Sequence, residues 1–132
     1  MFVTVRATTG RVPFRRASLH DEVIGVLCSE RDYCGCDVLA YCLMPDHFHL
    51  VAAPRELSVG VCAFVDRFKS ATTRVAWRHG HGGRLWQPRF YDHVVRVEEA
   101  LFAICDYVVM NPVRAGLVEE AEDYRWGGLL DP

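Results

Sequence analysis

The sequence predicts a single α+β domain over residues 1–132, built as a ferredoxin-like (RRM-like) sandwich in which helices cover one face of an antiparallel sheet. Three observations carry that expectation. Short runs alternate apolar and polar residues with period two, as half-buried strands do. Longer runs repeat apolar residues at spacings of three and four, as amphipathic helices do. The two kinds of segment follow one another as β-α-β-β-α-β-α, and the first six elements are those of a ferredoxin-like fold.

Each element has a local reason. Phe2 to Thr8 alternates as a first strand. Ser18 to Tyr33 reads as a helix with Ser18 as N-cap and Asp21 three residues on, in the manner of a capping box. Leu19, Val23, Val26 and Leu27 give it one apolar face. Asp37 to Leu43 and His47 to Ala53 are apolar runs parted by Met44-Pro45-Asp46, where turn chemistry is favourable, so they form a hairpin. The third strand, carrying His47 and His49, then lies centrally in the sheet. Leu57, Val61, Phe64, Phe68, Ala71 and Val75 mark a long helix, whose opposite face carries Asp66, Arg67, Lys69, Ser70, Thr73 and Arg74. Arg78 to Gly83 is a loop, and Phe90 to Val95 is the last strand. A helix starts at Glu98, where an acidic first turn suits the helix dipole. It ends near Asn111, because a residue preceding proline resists the α conformation.

Composition narrows the class. The chain is 51% hydrophobic and 24% charged, within the range of globular domains. Its longest uncharged apolar stretch, Leu57 to Val65, is about half of what a bilayer requires, and the first residues do not read as a signal peptide. A cytoplasmic protein with no membrane partner is the expectation. Cys28, Cys42, Cys62 and Cys105 sit in apolar periodic segments as small hydrophobes. Cys34 and Cys36 lack the second pair that a zinc site needs, so reduced thiols are expected. The formal net charge is −2, yet Arg67, Lys69, Arg74, Arg78, Arg84, Arg89 and Arg96 face a single acid, Asp92, in that stretch. From Glu98 onward acids dominate. The middle of the chain can therefore present a cationic surface to nucleic acid, or simply a solvated face.

Two local patterns point to chemistry. In a strand, residues two apart share a face, so His47 and His49 point one way and Phe48 the other. Paired imidazoles can begin a metal site; two histidines on a half-exposed sheet face would give the same pattern. Tyr107 and Asn111 are four apart and neighbour each other on a helix face. Small Ala103, one turn earlier, leaves the phenol uncovered. Packing for Tyr107 and a C-terminal cap for Asn111 would fit the same spacing. Together the two patterns suit a divalent cation with open positions for phosphate oxygens, beside a phenol.

Four blocks occur in order: Met44-Pro45-Asp46-His47-Phe48-His49-Leu50, Leu85-Trp86-Gln87-Pro88-Arg89-Phe90-Tyr91, Tyr107 to Val118 (YVVMNPVRAGLV), and Asp123-Tyr124-Arg125-Trp126. Over nearly the whole chain this resembles the REP-associated tyrosine transposases, a branch of the single-tyrosine HUH transposases. The resemblance implies a nuclease of the HUH endonuclease type with Tyr107 as nucleophile and Mg²⁺ or Mn²⁺ held by His47, His49 and Asn111. It also implies a substrate of single-stranded DNA beside hairpins of repetitive palindromes, cleaved to a 5′-phosphotyrosine and a free 3′-OH. Asp46 stands where Asn is frequent. The chain starts close to its first strand and stops soon after Trp126, so terminal extensions for hairpin recognition are expected to be short or missing. A homodimer and a monomer both stay open.

Candidate phosphate contacts are Arg67, Lys69, Arg74, Arg78, Arg84 and Arg89, with Arg114 approaching the active site or pairing with Glu119 or Glu120. Trp86, Arg89, Phe90 and Tyr91 are placed to stack bases, although core packing is favoured for Trp86 and Phe90. Two other functions share these residues: a catalytically inactive, domesticated binder of single-stranded or hairpin DNA, and a metal-dependent phosphodiesterase in which Tyr107 only packs.

Overall fold

A computed structural model describes residues 1–8, 17–94 and 98–131. The order is β1 (Phe2–Arg6), α1 (Ala17–Cys34), β2 (Cys36–Met44), β3 (His47–Pro54), α2 (Val61–Arg78), β4 (Tyr91–His93), α3 (Glu98–Val109), α4 (Asn111–Arg114), a 3₁₀ turn (Ala121–Asp123) and β5 (Gly127–Leu129). Five strands form one sheet in the order β4-β1-β3-β2-β5, with every pairing antiparallel. The histidine strand β3 is the middle one, as the pattern predicts.

Alternation along β3 divides two apolar layers. Phe48, Leu50 and Ala52 pack with Leu19, Val23 and Leu27 of α1 and Phe64, Val65 and Phe68 of α2. Phe48 stacks on Phe68 with ring centroids 4.8 Å apart. Truncating a fully buried phenylalanine of this kind costs about 3–5 kcal/mol. The other face of the sheet carries Val51 with Ala40, Cys42 and Met44 of β2, against Cys105 and Val108 of α3. The ferredoxin-like six elements thus keep their two helices on one face. The seventh, α3, lies on the other, beside the histidines.

Several local expectations shift. α1 already includes Ala17, so Ser18 stands inside the first turn. Asp21 makes no capping box in this arrangement: its carboxylate accepts from Arg125 at 2.9 Å and from Nε1 of Trp126 at 3.1 Å, long-range partners that hold the C-terminal segment against α1. Leu57 lies outside α2, fully exposed at φ 64°. The buried stripe of α2 includes Thr72 and Ala76, where the spacing pointed to Ala71. Thr72 tolerates burial because its hydroxyl donates to Phe68 O at 2.7 Å and accepts from Trp86 Nε1 at 2.8 Å. The last-strand expectation shortens to Tyr91–His93, and Val95 lies outside the described residues. Trp86 is core, as favoured. All six cysteines are free.

Candidate active site

Antiparallel register builds the site. Thr4 pairs with both His49 and Tyr91, so Tyr91, Thr4 and His49 form a row across β4, β1 and β3. Residues directly opposed across strands project from the same face. His47 and His49 share that face, with ring centroids 4.7 Å apart.

Each imidazole is held through its Nδ1. Thr4 Oγ1 lies 2.9 Å from Nδ1 of His49, and Asp46 Oδ1 lies 2.7 Å from Nδ1 of His47. An ionised carboxylate only accepts, so His47 donates there and keeps its lone pair on Nε2. That lone pair meets the side-chain amide of Asn111 at 3.3 Å. His49 is 7% exposed. Burial pushes its pKa down to about 4, with His47, Arg6 and Arg114 adding repulsion. It is therefore neutral near pH 7, the state in which imidazole binds a metal.

Tyr107 faces this pair from α3. Its ring centroid is 6.2 Å from that of His49 and 6.3 Å, edge-on, from Phe2. It is 50% exposed, and Ala103 one turn earlier is exposed too, so the phenol is open as its spacing suggested. The helix does not run unbroken to Asn111. It stops at Val109, and Asn111-Pro112 open the short α4. Proline has no N–H to continue the ladder but fits the start of a new helix. Arg114, from the end of α4, donates to the freed carbonyl of Tyr107 at 2.6 Å and lies 3.9 Å over its ring. Of the two placements weighed for Arg114, the structure shows it against Tyr107, and no ion pair joins it to Glu119 or Glu120 among the described residues.

Phe2, Thr4, Arg6, His49, Tyr91 and Tyr107 line a cleft of about 410 Å³. The donor set could hold a divalent cation: two borderline imidazole nitrogens with Nδ1 engaged, plus an amide whose oxygen would turn toward the cation by rotation about its last bond. Among the described residues no group of three His, Cys, Asp or Glu side chains could hold a metal, so the candidate set depends on the Asn111 amide as its third donor. Thr4 and the role of Asp46 are not readable from the sequence; pairing across strands reveals the first and turn geometry the second.

The IS200-like transposase family matches residues 3–111, a stretch containing His47, His49, Tyr107 and Asn111. This chain belongs to that family. A REP-associated tyrosine transposase of Escherichia coli strain K12 is 28% identical over 89 residues, covering 67% of this chain and 51% of the relative. A Haemophilus influenzae protein, whose name assigns it provisionally to the same group, is 28% identical over 104 residues, covering 70% of this chain and 58% of its own. The chain thus spans little more than half the length of these relatives. A solved REP-associated tyrosine transposase bound to a REP hairpin superposes with TM-score 0.81 at 21% identity, covering 96% of this chain and 73% of the other. At that identity the likeness shows the fold.

In this IS200-like transposase family member the candidate phosphate contacts fall into three groups. Arg67 pairs with Glu30 at 2.6 Å and lies over the Tyr33 ring, and Arg78 pairs with Glu22 at 3.6 Å. Arg114 sits on Tyr107. Lys69, Arg74 and Arg84 border a separate groove, and Arg89 is exposed near it. Among the described residues no helix is long and apolar enough to cross a membrane.

Proposed function

We propose that this protein cleaves and rejoins single-stranded DNA next to hairpins of repetitive palindromes, with Tyr107 as nucleophile. The observation that carries the reading is the shared cleft: the half-exposed phenol of Tyr107 lies beside His49, whose neighbour His47 touches Asn111. Membership in a transposase family supports the reaction class. The hairpin in the solved relative supports the substrate.

In this reading the phenolate oxygen of Tyr107 attacks the phosphorus of a backbone phosphodiester. A P–O bond to the tyrosine forms and the bond to the 3′-oxygen breaks. That oxygen takes a proton and leaves as a free 3′-OH, while the phenolic proton passes to solvent. Ionising an ordinary phenol at neutral pH costs about 4 kcal/mol, which the site must offset. Mg²⁺ or Mn²⁺ held by His47, His49 and Asn111 would supply Lewis-acid stabilisation of the phosphate charge, worth several kcal/mol. Arg114 holds the tyrosine ring, and fixing the attack geometry removes part of the entropic barrier. The phosphotyrosine ester retains the phosphodiester energy, so a 3′-OH reverses the step without ATP.

The test is a labelled hairpin oligonucleotide with single-stranded flanks, incubated with Mn²⁺. Wild type should give an adduct that survives denaturation, and Tyr107→Phe should give none while still binding. Cleavage persisting in Tyr107→Phe would reassign the protein as a phosphodiesterase. Binding with no cleavage in wild type would make it an inactive binder.

A further inference from the structure

α2 presents two cationic flanks with different fates. Toward α1, Arg67 and Arg78 are neutralised by Glu30 and Glu22. Toward the 84–88 segment, Lys69, Arg74 and Arg84 border a groove of about 400 Å³ with Trp77, Gln87 and Pro88. No ion pair involves these three cations among the described residues. Lys69 is anchored, its ammonium donating to the carbonyls of Gln87 at 2.9 Å and Pro88 at 3.2 Å. Burial lowers its pKa most, Asp66 acts in the opposite direction, and Arg84 is near enough to add a smaller repulsion. Asp66 offsets part of this charge, but no acid lines the groove itself, so its three cations favour an anion there.

The groove also holds an aromatic face. Trp77 is 53% exposed, and its Nε1 donates to Gly83 O at 2.7 Å, which fixes the indole plane while leaving its ring in solvent. A fixed indole sharing a groove with two guanidiniums, those of Arg74 and Arg84, suits a strand that offers both phosphates and bases.

Position relates the groove to the cleft. α2 lies on the sheet face opposite Tyr107, yet the segment leaving the groove turns around the β4 edge. Gln87 and Pro88 line the groove, while Tyr91 lines the tyrosine cleft. Three residues lie between Gln87 and Tyr91, so the four steps span at most about 14 Å of extended chain. Exposed Arg89 lies between them.

We propose that the groove between α2 and residues 84–88 is a second DNA subsite, which grips the single-stranded flank after it passes around the β4 edge from the Tyr107 cleft. Arg74 and Arg84 contact backbone phosphates, and Trp77 stacks a base. The subsite rests on the DNA reading above, but not on its chemistry.

The experiment measures anisotropy of the labelled, flanked hairpin across 50–200 mM NaCl, for wild type and for the Arg74→Ala/Arg84→Ala double variant. Removing two arginines that each neutralise one phosphate of a single strand should reduce the slope of log affinity against log salt by about 1.4. Arg74→Lys/Arg84→Lys should keep most of that slope. DNA should quench tryptophan emission in wild type and much less in Trp77→Phe. The adduct formed with a short oligonucleotide confined to the cleft should be unchanged in the double alanine variant, and equal melting temperatures would verify folding. An unchanged slope and affinity in that variant, with the adduct still formed, would overturn the subsite and leave the strand-breaking reading intact. A reduced slope with no adduct from wild type would sustain the subsite and remove the strand-breaking reading.

Discussion

Nδ1 of His47 donates to Oδ1 of Asp46 across 2.7 Å, from the turn residue immediately before it. This leaves Nε2 of His47 as the lone-pair nitrogen facing Asn111. Such outer partners orient a ligating imidazole and raise its basicity, and losing one typically costs 10–100-fold in metal affinity. Asp46→Ala should therefore weaken Mn²⁺ binding by about tenfold or more, measured by titration calorimetry without DNA. Asp46→Asn should lose less, since its amide oxygen still accepts. Equal affinity in wild type and Asp46→Ala would exclude the carboxylate from this role.

His49 links stability to pH. Its folded pKa is near 4, below the ordinary 6.5. Above about pH 6.5 it is neutral in both states and adds no pH dependence. As pH falls toward 4 the unfolded chain takes up the proton first, so metal-free stability declines across that window, by up to about 3 kcal/mol. Urea melts of wild type and His49→Gln at pH 7 and pH 5 should show a steeper loss in wild type. Identical losses would mean that His49 accepts its proton in the folded state.

Arg114 lies 3.9 Å over the Tyr107 ring and caps its carbonyl. Arg114→Ala should slow adduct formation by roughly tenfold, the scale of one exposed cation–π contact plus a charge-assisted hydrogen bond. Mn²⁺ affinity should change little, because Arg114 is not among the proposed ligands. A wild-type adduct rate in this variant would show that Tyr107 is positioned without it.

Leu57 offers a test free of function. It is fully exposed at φ 64°, where a side chain costs roughly 1–2 kcal/mol that glycine avoids. Glycine also gains unfolded-state entropy, which offsets up to about 1 kcal/mol. Leu57→Gly should stabilise by a few tenths to about 1 kcal/mol in urea unfolding. A loss of stability would show that the leucine makes a contact worth more than its strain.

What could be read from the chain was whatever depends on a local period. Period two put His47 and His49 on one face and Phe48 on the other, and the four-residue step brought Tyr107 and Asn111 to the same site even though Pro112 breaks the helix between them. The element order made the histidine strand central. Tertiary structure decided what depends on partners distant in sequence. Thr4 and Tyr91 join His49 only through strand register. Asp21, placed at a helix start, is claimed instead by Arg125 and Trp126. Packing of α1 on α2 neutralises Arg67 and Arg78 but leaves Arg74 and Arg84 facing a groove. The physical reason is reach: backbone geometry repeats over a few residues, whereas charge pairing and register join groups up to about a hundred residues apart, which only folding brings within a few ångströms.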